Sequence, residues 1–215
     1  MTRNAAGLSS YALRVAMLKH PQTPRHLALP MVKHMNLLDL LAVALTPKVP
    51  ADLKRLAEDS ILSQLQGVAL GQRLTLARRG SARVAAGLLL DSQKQVIQAA
   101  LENPCMTDAA LSQALAAEQS PAALAEVALE HPGWMRRRAV RLGMMRSRHL
   151  SLARFAYLLN ELTTAELTDL EQDSRLKRNL RDYVGKFLAS RRASRTHKQR
   201  SIDSRRQNDC TANSQ

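Results

Sequence analysis

Arginine clusters are the residues of this sequence with the clearest chemical potential. The candidate basic residues are Arg73, Arg78, Arg79, Arg83, Arg136, Arg137, Arg138, Arg141, Arg146 and Arg148. Guanidinium groups suit bidentate contacts with phosphate and stacking on flat rings. Arginines at matching places in successive helical units could form a stripe that follows a phosphate backbone. The alternative is an ordinary solvated helix face.

A tryptophan stands beside the second of these clusters. Trp134 directly precedes Met135 and the Arg-Arg-Arg run 136–138. We predict it as a candidate anchor in a surface interface, since such anchors are enriched in Trp and Arg. A Trp buried at a junction between helices is the competing interpretation. Aromatic residues make up only 3% of the chain, which argues against stacking on single-stranded nucleic acid.

Residues that could catalyse a reaction or hold a metal follow no recognisable pattern. His20 and His131 each precede a proline, and we expect them at helix C-terminal ends, where a partly charged imidazole is favoured. The sequence has no HExxH or CxxC motif, and its glycines are scattered rather than gathered in a phosphate-binding loop. We therefore predict no catalytic residue, no metal and no cofactor, and we expect that the protein is not an enzyme.

Composition predicts an all-α fold. The chain has 215 residues, of which 45% are hydrophobic. Because large rings are rare, Leu and Ala must fill the core, and these residues favour helices that pack closely on helices. The two cysteines, Cys105 and Cys210, cannot build a disulfide framework. With no apolar leader and no run long enough to span a bilayer, we expect a soluble, cytoplasmic protein without a membrane span.

Charge is concentrated toward the C-terminus. The whole chain carries a net charge of +14, and the segment from Lys186 onward holds eight Lys/Arg against two Asp, which gives +6. This segment has almost no apolar content beyond Ser190, so we predict a disordered basic tail over residues 189–215 after a folded domain over residues 1–188. The tail residues with electrostatic potential for a polyanion are Arg191, Arg192, Arg195, Lys198 and Arg200.

A helix–turn–helix phrase recurs along the chain. An apolar helix end runs into a turn with proline or glycine, at Pro21, Pro47, Gly80, Pro104 and Pro132, and a new helix follows. The spacings are 26, 33, 24 and 28 residues, which fits degenerate repeats with loops of variable length. We expect side-chain caps at Thr23, Ser81, Thr107 and Ser120, and a capping box from Thr163 to Glu166.

Periodicity and punctuation together give a helix map. The predicted helices lie at roughly 9–19, 24–34, 36–45, 50–57, 60–78, 82–90, 93–102, 107–117, 121–130, 134–146, 150–160, 164–172 and 174–188.

The turns of the His-Pro and Asn-Pro type, as at His131-Pro132 and Glu102-Asn-Pro104, resemble those of the leucine-rich repeat variant and other HEAT-like short helical repeats of bacterial proteins. The stretch 70–91 is similar to such proteins too, and the resemblance covers roughly residues 10–160. It implies a curved solenoid that presents an extended binding surface. Some members of the variant family carry a cysteine-bound iron–sulfur cluster, which the single body cysteine, Cys105, does not support.

These observations predict an α-solenoid of short, degenerate HEAT-like repeats that serves as a protein–protein interaction scaffold. The alternative is sequence-nonspecific binding of nucleic acid, or of another polyanion, through the arginine-rich face and the basic tail. The two hypotheses differ in salt dependence, because phosphate binding weakens steeply as salt rises.

Overall fold

Helices dominate the computed structural model, which describes residues 11–20 and 22–193. No strand occurs within these residues, so the all-α prediction is confirmed. The helices are α1 (Tyr11–Lys19), α2 (Arg25–Val32), α3 (Leu37–Leu45), α4 (Ala51–Gln64), α5 (Leu70–Arg79), α6 (Ala82–Leu88), α7 (Lys94–Leu101), α8 (Asp108–Ala116), α9 (Ala122–Glu130), α10 (Pro132–Met135), α11 (Arg138–Arg146), α12 (Leu152–Glu161), α13 (Thr164–Glu171) and α14 (178–193).

Two breaks between helices differ from those predicted. The break expected after residue 57 is absent, because Leu53, Ala57 and Ile61 form one buried stripe along a continuous α4. The chain instead breaks at the 3₁₀ turn Leu65–Gly67. The helix predicted over residues 134–146 is two helices, α10 and α11, separated where Arg137 takes an extended backbone conformation.

Helix starts follow the predicted capping chemistry in three places. Ser81 and Thr107 accept hydrogen bonds from backbone amides three residues on, and Thr163 forms the full capping box with Glu166. The caps predicted at Thr23 and Ser120 are wrong, because the proline that follows each of them is itself the residue before the helix. The Thr23 hydroxyl instead donates to the carbonyl of Met17 at 2.5 Å.

The chain divides into two compact units, with the boundary between His149 and Leu150. In the first unit each helix packs mainly on helices close to it in sequence. Four even-numbered helices and α11 form one series of contacts: α2 packs on α4, α4 on α6, α6 on α8, and α8 on α11. We call these five helices the even row. A second set of contacts joins α1 to α3, α5 to α7 and α7 to α9.

The core of the first unit consists of Leu, Ala, Val and Met side chains, with small residues where helices approach most closely. At Gly143 in α11 an added Cβ would lie 2.7 Å from the Cα of Ser112 in α8. The backbones of α8 and α11 are therefore nearly in contact, and this close pair joins the last two helices of the even row.

The second unit is a smaller all-helical cluster formed by α12, α13 and α14. Phe155 is fully buried, and its ring contacts that of Tyr183 with centroids 6.4 Å apart. Leu159, Leu167 and Val184 fill the remaining core. Among the described residues of the whole chain, no helix has the length and apolar content to cross a bilayer.

Candidate interaction surface

The predicted basic cluster around Arg78 does not form one continuous cationic face. Arg73 in α5 donates from Nη1 to both carboxylate oxygens of Asp91, at 2.7 and 2.9 Å. The Asp91 side chain is 6% exposed and that of Arg73 20% exposed. Asp91 also accepts a hydrogen bond from the backbone amide of Gln93. Arg73 thus ties α5 to the turn after α6 and is not a free phosphate ligand, which corrects its predicted role.

Ion pairs also connect neighbouring helices of the even row. The pairs are Arg25–Asp52 at 2.7 Å, Arg83–Asp59 at 2.6 Å and Arg137–Asp108. Each exposed pair contributes little to stability, since water screens it. Their larger consequence is electrostatic. Two of the predicted surface arginines, Arg83 and Arg137, are neutralised by a carboxylate on the preceding helix of the row.

Trp134 is buried, which corrects its prediction as a surface anchor and matches the alternative interpretation, a Trp buried at a junction. Its side chain is 6% exposed, and its indole Nε1 donates to the carbonyl of Leu101 at 3.0 Å. The guanidinium of Arg137 lies over the indole ring, 4.2 Å from the ring centroid. Arg137 therefore covers the Trp134 ring while it binds Asp108, and both contacts hold the fold together.

The other arginines of the second cluster have mixed environments. Arg141 is half-buried and donates to the backbone carbonyl of Arg136 at 2.9 Å. Arg138 is exposed and Arg146 half-buried. The predicted basic residues that are exposed and form no ion pair with any described residue are Arg78, Arg79, Arg136 and Arg148. The first two end α5, and the last two flank α11.

The predicted tail begins within a helix. Residues 189–193 continue α14, five residues past the predicted domain end at 188. Arg191 is half-buried, and its Nη1 donates to the carbonyl of Leu162 at 2.5 Å, so it is not a free tail charge. Arg192 is exposed on the same helix. The remaining predicted tail residues, Arg195, Lys198 and Arg200, lie outside the described residues.

Two polar side chains that the sequence analysis did not identify link one junction to the next. Buried Asn103 donates from Nδ2 to the carbonyls of Ala77 and Gly80, at 2.7 and 3.0 Å. His149 Nε2 lies 2.7 Å from the carbonyl of Ser120 and must donate, because a carbonyl can only accept. The sequence signal for Asn103 was its position directly before Pro104 in the recurring helix–turn–helix pattern. A buried amide there can donate to the carbonyls that lack an intrahelical partner at the end of a helix.

Exposed leucines distinguish the N-terminal helices of the first unit. The exposed large hydrophobic residues of this unit are Leu13, Leu27, Leu29, Leu38, Leu45, Leu70 and Leu90. None lies between residues 91 and 149, a fully described range. Exposed side chains there include the ion pair between Lys94 and Glu126 at 2.5 Å, whose hydrogen bond raises the pKa of Lys94.

A groove of about 600 Å³ lies between α2 and α4, in the leucine-rich part. Leu29 and Leu56 contribute apolar surface, and Arg55 and Asp52 contribute charge. Partial desolvation alone would raise the pKa of Asp52, but the hydrogen bond and charge of Arg25 outweigh it and lower the pKa. Asp52 therefore stays ionised and paired at neutral pH. The sequence analysis did not identify this groove, because α2 and α4 are separated by a whole repeat.

Comparison with known proteins does not assign the chain to a group. No family model, no curated protein and no solved structure matches it.

Proposed function

We propose that the chain is a solenoid of HEAT-like helical repeats that binds another protein and has no catalytic activity of its own. The even row supports the solenoid, because each of its helices packs on the next. The polar contacts fit the same arrangement: Asn103 and Ala77 are 26 residues apart, Trp134 and Leu101 are 33 apart, and His149 and Ser120 are 29 apart. In a repeat array each unit contacts only its neighbours, and such separations of about one repeat are expected.

The observation that carries the protein-binding proposal is a contrast between arginines and leucines. Arg73, Arg83 and Arg137 form ion pairs within the fold, whereas seven leucines of the first unit stay exposed. Desolvation of apolar surface is the main driving force of protein association. Scattered exposed leucines are ordinary on a protein surface, but their restriction to residues 13–90 of the first unit, with none in 91–149, favours a binding surface in that part of the chain.

Nucleic-acid binding is the second candidate, favoured by the exposed, unpaired Arg78 and Arg79 at the end of α5. It is tested by the fluorescence anisotropy of labelled duplex DNA and single-stranded RNA at about 50 and 200 mM salt. Because three of the ten predicted arginines form ion pairs within the fold, we expect weak binding that salt removes. Tight binding that an Arg78→Ala/Arg79→Ala double variant abolishes would favour this candidate instead.

Site-specific photo-crosslinking in cells that produce the full chain tests the protein-binding proposal. A benzophenone amino acid is placed singly at exposed Leu29, Leu38 or Leu90, and at polar, exposed Gln98 as the matched control. We expect discrete protein adducts from one or more leucine positions, resistant to nuclease and to about 500 mM salt, and none from Gln98. Adducts that nuclease removes, or equal labelling at all four positions, would contradict the proposal.

A further inference from the structure

The groove between α2 and α4 combines apolar walls with one cation, Arg55, that has no ion-pair partner among the described residues. Leu29, Pro50 and Leu56 line it, and Leu29 is 42% exposed although it faces this concavity. Arg55, in the middle of α4, also lines the groove, is exposed and forms no ion pair within the described residues. An occupant could therefore bury apolar atoms and place a carboxylate beside a guanidinium in the same site.

Both carboxylates that line the groove form ion pairs within the fold. Asp52 is bound by Arg25 at 2.7 Å and Asp59 by Arg83 at 2.6 Å. Each arginine comes from a neighbouring helix of the even row and neutralises a carboxylate that would otherwise repel an acidic partner. The groove therefore presents Arg55 as its uncompensated charge.

The part of the chain that builds the groove has a positive net charge. Residues 11–80 contain ten Lys/Arg and four Asp/Glu, a net charge of +6. Asp52 and Asp59 are partly exposed but each is paired with an arginine, whereas the hydrogen bonds from Tyr11 to Asp39 and from Ser81 to Glu58 leave the charges of those two carboxylates in place. Among the described residues that line the groove, Arg55 is the charge without an ion-pair partner, so charge complementarity favours an acidic partner.

We infer that this groove binds an acidic amphipathic segment of a partner protein, with leucine-type side chains against Leu29 and Leu56 and a carboxylate on Arg55. The inference rests on the proposed function and specifies the surface and the chemistry of the partner. A nucleic-acid backbone fits this groove less well, because one free arginine between apolar walls cannot neutralise successive phosphates. Helix-in-groove binding through apolar anchors flanked by charges is a common mode of peptide recognition.

The test uses the full chain and fluorescein-labelled model peptides of about 18 residues, enough for a short helix. The first peptide carries leucines at helical spacing and glutamates elsewhere. One control replaces its leucines with serine, and a second replaces its glutamates with lysine. Arg55→Glu is compared with Arg148→Glu, which makes the same change in net charge at an exposed, unpaired arginine far along the chain. Leu29→Ser is compared with Leu45→Ser, an exposed leucine that does not line the groove.

We expect the acidic amphipathic peptide to bind with a Kd below about 100 µM, and Arg55→Glu and Leu29→Ser each to weaken it about tenfold. Both control variants should change the Kd by less than about twofold, and both control peptides should bind poorly. Circular dichroism at matched temperatures checks that all four variants stay folded.

Three binding results would overturn the inference. They are no binding of the acidic peptide, equal weakening by Arg55→Glu and Arg148→Glu, or binding of phosphatidylglycerol vesicles that depends on Arg55 while the peptide does not bind. Crosslinked adducts from Leu38 or Leu90 but not from Leu29 would leave the scaffold proposal standing while removing this groove. An absence of adducts at every leucine would remove the scaffold proposal itself.

Discussion

Helices α1–α4 and the later segment 91–149 are both built from short packed helices but present different surfaces. The first region leaves five leucines exposed, and the second leaves no large hydrophobic side chain exposed. The second region is instead linked by buried side chains that reach a carbonyl of an earlier junction, through Asn103 and Trp134. Short packed helices can thus support internal packing or leave apolar side chains exposed, according to which residues occupy their outward positions.

The difference between these regions predicts that one contributes mainly to stability and the other mainly to binding, and substitutions can test this. Substitutions in the later segment should lower the free energy of unfolding, whereas substitutions of exposed leucines in the early helices should alter binding and leave stability nearly unchanged. The electrostatic contacts of the two regions do not follow this division, because each region contains exposed ion pairs of small energetic weight.

The largest effect is expected from Trp134→Ala. Truncation of this buried ring leaves a cavity and removes the hydrogen bond to Leu101, so the free energy of unfolding should fall by about 3–5 kcal/mol. The matched substitution in the early region is Leu38→Ala, at a side chain that is 51% exposed, and it should change stability by less than about 0.5 kcal/mol. Urea unfolding followed by circular dichroism measures both. Comparable losses of unfolding free energy in the two variants would contradict the predicted difference between the regions.

A smaller loss is expected from Gly143→Ala at the close contact of α11 with α8. The new Cβ would meet the Cα and carbonyl oxygen of Ser112 at 2.7 and 2.8 Å, and these backbone atoms cannot move cheaply. Overpacking of this kind costs about 1–3 kcal/mol.

The matched control is Gly71→Ala in α5, because no atom lies within 4 Å of the added Cβ there. Alanine should stabilise that helix by up to about 1 kcal/mol through its higher helix propensity. A lower unfolding midpoint for Gly143→Ala and a higher one for Gly71→Ala, in thermal or urea unfolding, would support the packing argument. A Gly143→Ala variant as stable as Gly71→Ala would show that α8 and α11 can move apart without loss.

The helices were predictable because their signals are local. Apolar periodicity and the punctuation at Pro104 and Gly80 lie within a few residues of the elements that they define. The missing break after residue 57 shows the limit of this local evidence: the Glu58-Asp59-Ser60 sequence resembles a turn, yet tertiary burial of Leu53, Ala57 and Ile61 keeps α4 continuous. Thr23 and Ser120 failed as caps for a similar reason, since the adjacent proline already fixes the start of the helix.

The surface was less predictable because its contacts join helices that are far apart in the sequence. Arg83 meets Asp59 across 24 residues and Arg137 meets Asp108 across 29. The spacing between junctions varies from 24 to 33 residues along the sequence, so the partner of a given arginine cannot be found from a fixed period. Clusters of arginine in the sequence therefore overstated the free positive charge, and the groove beside Arg55 had no sequence signal of its own.

The smallest expected effect concerns the pH dependence of the Arg25–Asp52 pair in the early region. The folded-state pKa of Asp52 is lowered below the 3.8 of an unperturbed Asp, so the pair stabilises the folded state above about pH 4, and its contribution disappears as pH falls through the folded-state pKa. The difference in urea midpoint between the native chain and Asp52→Asn should be small at pH 7 and should shrink as pH falls below about 4. Because both side chains are substantially exposed, about 500 mM salt should reduce this difference at pH 7 as well. A difference that grows on acidification would contradict the lowered pKa and would place the stabilising role of Asp52 in its protonated form.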